Sequence, residues 1–291
     1  MELLRARLEA LLVTVLWSSS YVLIAIGLET IPSLTFAGLR YGLATLVLVP
    51  LLLVRGRHHE IRRLSAREWG RFALLGVLLY ALTQGAQFAA LVVLRAATVS
   101  LVLSATPLLV ALSARALGES ITPRQWVAIG LVTAGAVAYF GPRTLPNAQV
   151  VGLAIMAIGL LANAGGALVG RAVNASRAHP PLVVTVCSMA IGAALLLATG
   201  LAVQGLPALA PVEWAIVAWL AVVNTAFAFT LWNRTLRELS ATEASLINNT
   251  MLVQVALLGW LALDESLVGI EVAGLLIVLA GTLLFQLAEQ Y

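Results

Sequence analysis

The chain has 291 residues, 61% of them hydrophobic and 10% charged, with a formal net charge of +4 and a mean hydropathy of +1.01. A soluble domain carries about 25% charged residues, so this composition describes a protein dissolved in a lipid bilayer. All 17 basic residues are arginine and they do not gather with aromatics on one face, which argues against a nucleic-acid partner, while the single Cys187 excludes a disulfide framework or a Cys-based metal site.

Apolar runs of about 20 residues cross a bilayer at 1.5 Å per residue. In chain order they fall at about 10–28, 33–54, 72–92, 97–114, 124–141, 150–170, 181–200, 213–233, 242–262 and 268–288. The expectation is an all-α integral membrane protein of ten transmembrane helices. The first run follows Arg5 and Arg7 as a signal peptide would. It has the length of a span, however, and no clean small-x-small cleavage site before Pro32, so it counts as the first helix. The separators, such as Glu29 to Pro32 and Pro207 to Pro211, are short and polar.

The chain contains one unit twice. Ala96-Ala97-Thr98-Val99-Ser100-Leu101 returns as Ala241-Thr242-Glu243-Ala244-Ser245-Leu246, and Glu68-Trp69 returns as Glu213-Trp214, both at a shift of 145 residues. Glu119-Ser120 returns as Glu265-Ser266 at a shift of 146, and Gly135 as Gly281. Residues 1–143 and 147–291 are therefore two five-helix repeats. With the N-terminus inside, fourteen arginines (5, 7, 55, 57, 62, 63, 67, 71, 115, 124, 171, 177, 234 and 237) lie in cytoplasmic segments, and only Arg95 and Arg143 lie outside. Both termini are then cytoplasmic. An odd number of spans per copy turns the second copy upside down, an arrangement typical of secondary transporters.

Polar side chains inside spans mark candidate pathways, because hydrocarbon leaves them no other partner. In the third span Tyr80, Gln84, Gln87 and Phe88 share one helical face. The eighth span, its twin, offers Asn224, Phe227 and Trp232. The fourth and ninth offer Ser104, Asn248 and Asn249, and the first and sixth offer Trp17, Ser20 and Asn163. These are the candidate substrate-binding residues. Amides and hydroxyls among aromatic rings suit a zwitterion with an apolar or cationic side group, and the same lining serves efflux of cationic drugs. The bland alternative is that such residues glue helices together. Pro107 frees the carbonyl of Leu103, giving either a hinge or an ordinary kink. Gly38 and Gly42, like Gly166 and Gly170, allow close helix contact rather than marking a dimer interface, so a monomer in the bilayer is expected. Arg40, the only basic residue well inside a span, either binds a substrate carboxylate or snorkels to the interface. The second role is favoured, because Arg40 lies about two turns from Pro32.

No carboxylate or imidazole falls at the midplane, so proton coupling through a buried acid is not expected. Glu119 and Glu265 are expected to bond to the start of the following helix. The chain shows no phosphate-cradling glycine loop, no metal cluster and no catalytic constellation; His58-His59 is the only dense spot, and an exposed loop accounts for it. An enzyme is not expected, nor any cofactor or metal.

Trp17-Ser18-Ser19-Ser20-Tyr21, Leu39-Arg40-Tyr41 and the doubled Pro107–Glu119–Gly135 pattern resemble the EamA family of the drug/metabolite transporter superfamily. The resemblance covers essentially the whole chain. It implies two inverted five-helix units in a bacterial inner membrane and export of amino acids or related small metabolites. The bacterial aromatic amino-acid exporters are the branch it points to. The second copy departs from the pattern at Leu252, opposite Pro107, and at Asn163 to Ala167, which replace the Trp-Ser-Ser-Ser-Tyr signature.

Overall fold

A computed structural model describes residues 2–116, 122–141, 145–175, 178–235, 238–239 and 247–288. The helices are α1 (Glu2–Gly27), α2 (Ser33–Val54), α3 (Ala66–Leu91), α4 (Ala96–Leu103), α5 (Thr106–Ala116), α6 (Pro123–Phe140), α7 (Asn147–Ala175), α8 (Pro181–Val203), α9 (Pro211–Trp232), α10 (Met251–Ala262) and α11 (Gly269–Ala288). Six of them, α1, α2, α3, α7, α8 and α9, contain a stretch long and apolar enough to cross a membrane. The other expected spans are occupied by shorter helices. A further turn of helix, His58–Arg62, sits between α2 and α3.

The expected fourth span is broken in two. α4 stops at Leu103, where Pro107 cannot supply the N–H that would continue the ladder, and α5 starts at Thr106. The Thr106 hydroxyl donates to the Leu103 carbonyl at 2.7 Å, so that carbonyl does not stand open toward a cavity. The same device recurs without proline in the second copy, where Thr250, just before α10, donates to the Ile247 carbonyl at 2.7 Å.

Twin helices pack on each other. α6 lies along its twin α11, and α2 along its twin α8. Both seams are made by glycine. A Cβ on Gly274 would lie 2.6 Å from the Tyr139 nitrogen, one on Gly135 2.7 Å from the Val278 nitrogen, and one on Gly281 2.9 Å from Leu131 and Val132. Position falls along α6 (Tyr139, Gly135, Leu131) as it rises along α11 (Gly274, Val278, Gly281), so the twins are antiparallel. In α2 and α8, Thr35 meets Gly200 and Gly38 meets Leu197, again antiparallel. The two copies are therefore inverted with respect to one another. Gly166 packs just as tightly on Leu79, while Gly42 faces open space.

The copies also exchange helices. α3 packs against α7 and α8 of the second copy, and α9 against α1 and α2 of the first. Each of these exchanged helices starts with a carboxylate folded back on its own N-terminus: Glu68 accepts from the Ser65 backbone at 2.7 Å, and Glu213 accepts from the Ala210 backbone. Each also carries a π-helical segment, Gly76–Gln84 in α3 and Val222–Phe227 in α9. A threonine hydroxyl supports each segment by reaching five residues back, Thr83 to the Leu78 carbonyl at 2.7 Å and Thr225 to the Leu220 carbonyl at 2.8 Å.

The glycine seam yields a stability prediction. Gly274→Val forces a side chain into the Tyr139 backbone and is expected to cost about 1–3 kcal/mol, the usual penalty of overpacking. Gly130→Ala, with nothing within 4 Å of the new methyl, is expected to be neutral or slightly stabilising. Thermal unfolding of the two variants in detergent checks this, and equal midpoints would remove the seam as a determinant of the fold.

Candidate functional site

Aromatic rings from four helices meet in one row. The Trp17 ring of α1 lies 5.2 Å from Trp232 and 5.2 Å from Phe229, both on α9. Phe229 is 6.5 Å from Tyr80 of α3, and Tyr80 is 5.6 Å from Tyr41 of α2. The Arg40 guanidinium then lies 5.2 Å from the Tyr41 ring and 5.9 Å from Phe88, which meets Phe36 at 5.2 Å. The row joins helices of both copies along their exchange contact.

Polar groups left without partners occur on α1 and α9, which carry part of this row, and just before α10. The Trp17 indole N–H, the Asn224 side-chain oxygen and the Asn249 side-chain nitrogen are buried without a hydrogen bond among the described residues. Each such group costs about 1–3 kcal/mol when no partner replaces water. Gln87 is buried and Gln84 half-buried, and neither amide makes a hydrogen bond among the described residues. Asn248 is half-buried.

The remaining candidates serve the frame. Asn224 donates to the Leu16 carbonyl and, at 3.1 Å, to the Ser19 hydroxyl, tying α9 to α1. Asn163 donates to Thr106 at 2.9 Å and so ties α7 to the break between α4 and α5. The Ser20 and Ser104 hydroxyls turn back to the carbonyls of Trp17 and Leu101 on their own helices. Gln254 of α10 accepts from Ser18 at 2.9 Å and donates to Thr250 at 2.9 Å, holding α10 against α1.

Two expectations are corrected. Phe227 is 51% exposed and makes no ring contact with the row among the described residues, although it lines the cavity beside Phe229. The π segment inserts an extra residue into its turn, so residues beyond it rotate by about 100° and Phe229 faces Trp17 instead. The repeat itself held the signal, since Phe229 is Gln84 displaced by 145 residues. Arg40 does not snorkel: it is 3% exposed and donates through Nε to the Thr225 hydroxyl at 2.9 Å. No carboxylate lies within ion-pair distance of it among the described residues. Retaining a charge unpaired in a dry interior costs several kcal/mol on the usual order.

Beside Phe229 the row opens into a cavity of about 430 Å³, lined by Leu48, Pro181, Thr185, Phe227 and Phe229 and rimmed by Arg55, Arg57 and Arg234. Two of these arginines are paired, Arg57 with Glu60 at 2.7 Å and Arg234 with Glu9 at 2.8 Å. The other end of the bundle is latched. Arg95 grips Glu271 with both terminal nitrogens and donates to the Ser266 carbonyl at 2.8 Å. That carboxylate holds the Arg95 guanidinium above its ordinary pKa. Glu265 accepts from the Ala96 N–H at 2.7 Å, so it caps α4 of the other copy rather than the following helix α11. Its twin Glu119 lies outside the described residues.

The sequence matches the profile of the EamA-like transporter family twice, at residues 5–141 and 150–287. It is 27% identical over 280 residues to the uncharacterized inner membrane transporter YedA of Escherichia coli K12, covering 94% of this chain and 88% of that one, and equally to YedA of Escherichia coli O157:H7. A solved crystal structure superposes with a TM-score of 0.70 over 99% of both chains at 21% identity, which is a likeness of fold. With two inverted copies, each matched by the same family profile, this multi-pass inner membrane protein belongs to the EamA-like transporter family.

Proposed function

We propose that this transporter exports amino acids, aromatic ones among them, or related small metabolites by alternating access. The observation that carries this reading is the ring row with its unpaired amides, held where the two inverted copies interlock. Trp17, Tyr80, Phe229 and Trp232 supply apolar faces for a side group. Gln84, Gln87, Asn248 and Asn249 supply amides that a polar solute satisfies. Rocking one copy against the other exposes such a site to each side in turn.

The copies span 1–143 and 147–291 and cross the membrane five times each, with both termini in the cytoplasm. The arginine-rimmed cavity then opens inward and the Arg95–Glu271 latch closes the outer end. A buried, unpaired arginine in the row opposes the cationic-drug reading, because like charge repels the substrate. Glu271 is buried, but it is paired with Arg95 at a helix start rather than set beside the row. Transport accordingly proceeds without protonation of a carboxylate at the site.

Flux of a solute panel into liposomes tests the reading. Tyr80→Ala is expected to raise KM about tenfold, equivalent to about 1.4 kcal/mol. Val137→Ala, on the exposed side of α6 and away from the row and its cavity, is expected to leave KM within about twofold of wild type. An imposed pH gradient is expected to leave the flux unchanged. Loss of transport through Val137→Ala, with Tyr80→Ala silent, would remove the row as the pathway. For orientation, green fluorescent protein fused to the C-terminus is expected to fluoresce, and alkaline phosphatase fused there to stay inactive. The reverse pattern overturns the cytoplasmic placement.

A further inference from the structure

We propose that Arg40 is a carboxylate anchor, the point in the row where an organic acid or amino acid places its carboxyl group. The proposal rests on the transport reading only in naming the ligand as the transported solute. The guanidinium is 3% exposed, yet it has one hydrogen bond among the described residues, from Nε to the neutral Thr225 hydroxyl. Both terminal nitrogens are without an acceptor there, and arginine does not shed its proton. These two nitrogens form the edge that grips a carboxylate through two parallel bonds.

A purely structural role is answered by the repeat. Arg40 lies eight residues past Pro32, which precedes α2, and Ser188 lies eight residues past Pro180, which precedes α8. Thr225 of α9 is likewise Tyr80 of α3 displaced by 145 residues. Arg40 bracing Thr225 thus has Ser188 as its counterpart, whose hydroxyl donates back to the Val184 carbonyl at 2.7 Å and whose own carbonyl packs against Gly76 of α3. The π segment of α3 packs against α8 through backbone contacts at Ser188 and Gly192, with no charged side chain at that place. The positive charge in the first copy is surplus to such packing.

The surroundings fit the ligand. Tyr41 and Phe88 present rings to the guanidinium at 5.2 and 5.9 Å, which sustains the charge without consuming its hydrogen bonds. From Tyr41 the row continues through Tyr80 to Phe229, ring faces that match the apolar part of a small acid. On α3, Gln84 sits one turn from Phe88 and offers an amide for a second polar group.

The test uses the purified full chain in detergent, with thermal unfolding recorded in benzoate, 3-phenylpropionate, their neutral amides and sodium chloride at equal ionic strength. The acids are expected to stabilise wild type with an apparent affinity about tenfold or more above their amides. Arg40→Gln is expected to bring that ratio close to one, and Arg40→Lys to retain part of it. Equal stabilisation by acid and amide in wild type overturns the anchor, as does sodium chloride matching benzoate or Arg40→Gln keeping the full preference. The wild-type comparison decides even where Arg40→Gln does not fold. Acid binding without flux in liposomes leaves the anchor standing and sinks the transport reading. Flux without any preference for acids sinks the anchor and leaves transport intact.

Discussion

The architecture depends on backbone-to-backbone approach between antiparallel twins. In hydrocarbon, apolar side chains gain little by leaving lipid for protein, so helices hold together where their backbones come close enough for dense van der Waals contact. Gly135, Gly274 and Gly281 make that approach between α6 and α11, and Gly38 and Gly200 make it between α2 and α8. Because each seam joins a helix to its own inverted copy, the two seams fix the relation of the repeats. The exchanged helices α3 and α9 are then carried into the opposite copy, and the ring row forms where they arrive.

The π segments follow from that placement. A helix crossing between two seams must present one set of residues to its own copy and another to the partner copy. One added residue in a turn changes the face presented partway along. The threonines reaching five residues back, Thr83 and Thr225, satisfy a carbonyl in each widened turn, which lipid would leave unmet. The same segment turns Phe229 inward and Phe227 outward, so the local irregularity decides which ring belongs to the site.

This is also where reading the sequence runs short. The repeat and its inversion are legible because they rest on spacing that survives divergence. Of the seam glycines, by contrast, spacing marks only Gly38 for close contact, and its companion Gly42 faces open space. Helix periodicity sets Tyr80, Gln84, Gln87 and Phe88 on one face, although a π segment, Gly76–Gln84, runs through that stretch of α3. It failed at Phe227, because a period of 3.6 cannot describe a turn with an inserted residue. Polarity alone marked Asn163, Asn224, Ser20 and Ser104, and it cannot separate an amide that ties two helices from one that waits for a ligand. That distinction lies in which atoms keep a partner: Asn163 is spent on Thr106, whereas the Trp17 indole N–H is left over.

Doubling also sharpens what is unequal between the halves. A gene copied onto itself starts with two identical sites, and a symmetric cavity would treat both ends of a solute alike. Here Arg40 on α2, which meets Thr225, differs from Ser188 on α8, and Gln84 on α3 differs from Phe229 on α9. At these two pairs of positions the first copy has a charge and an amide, and the second a hydroxyl and a ring. A small solute with one charged end and one apolar end matches that division. The pseudo-symmetry needed for the two inverted halves to exchange roles therefore coexists with side chains that differ between the halves along the row.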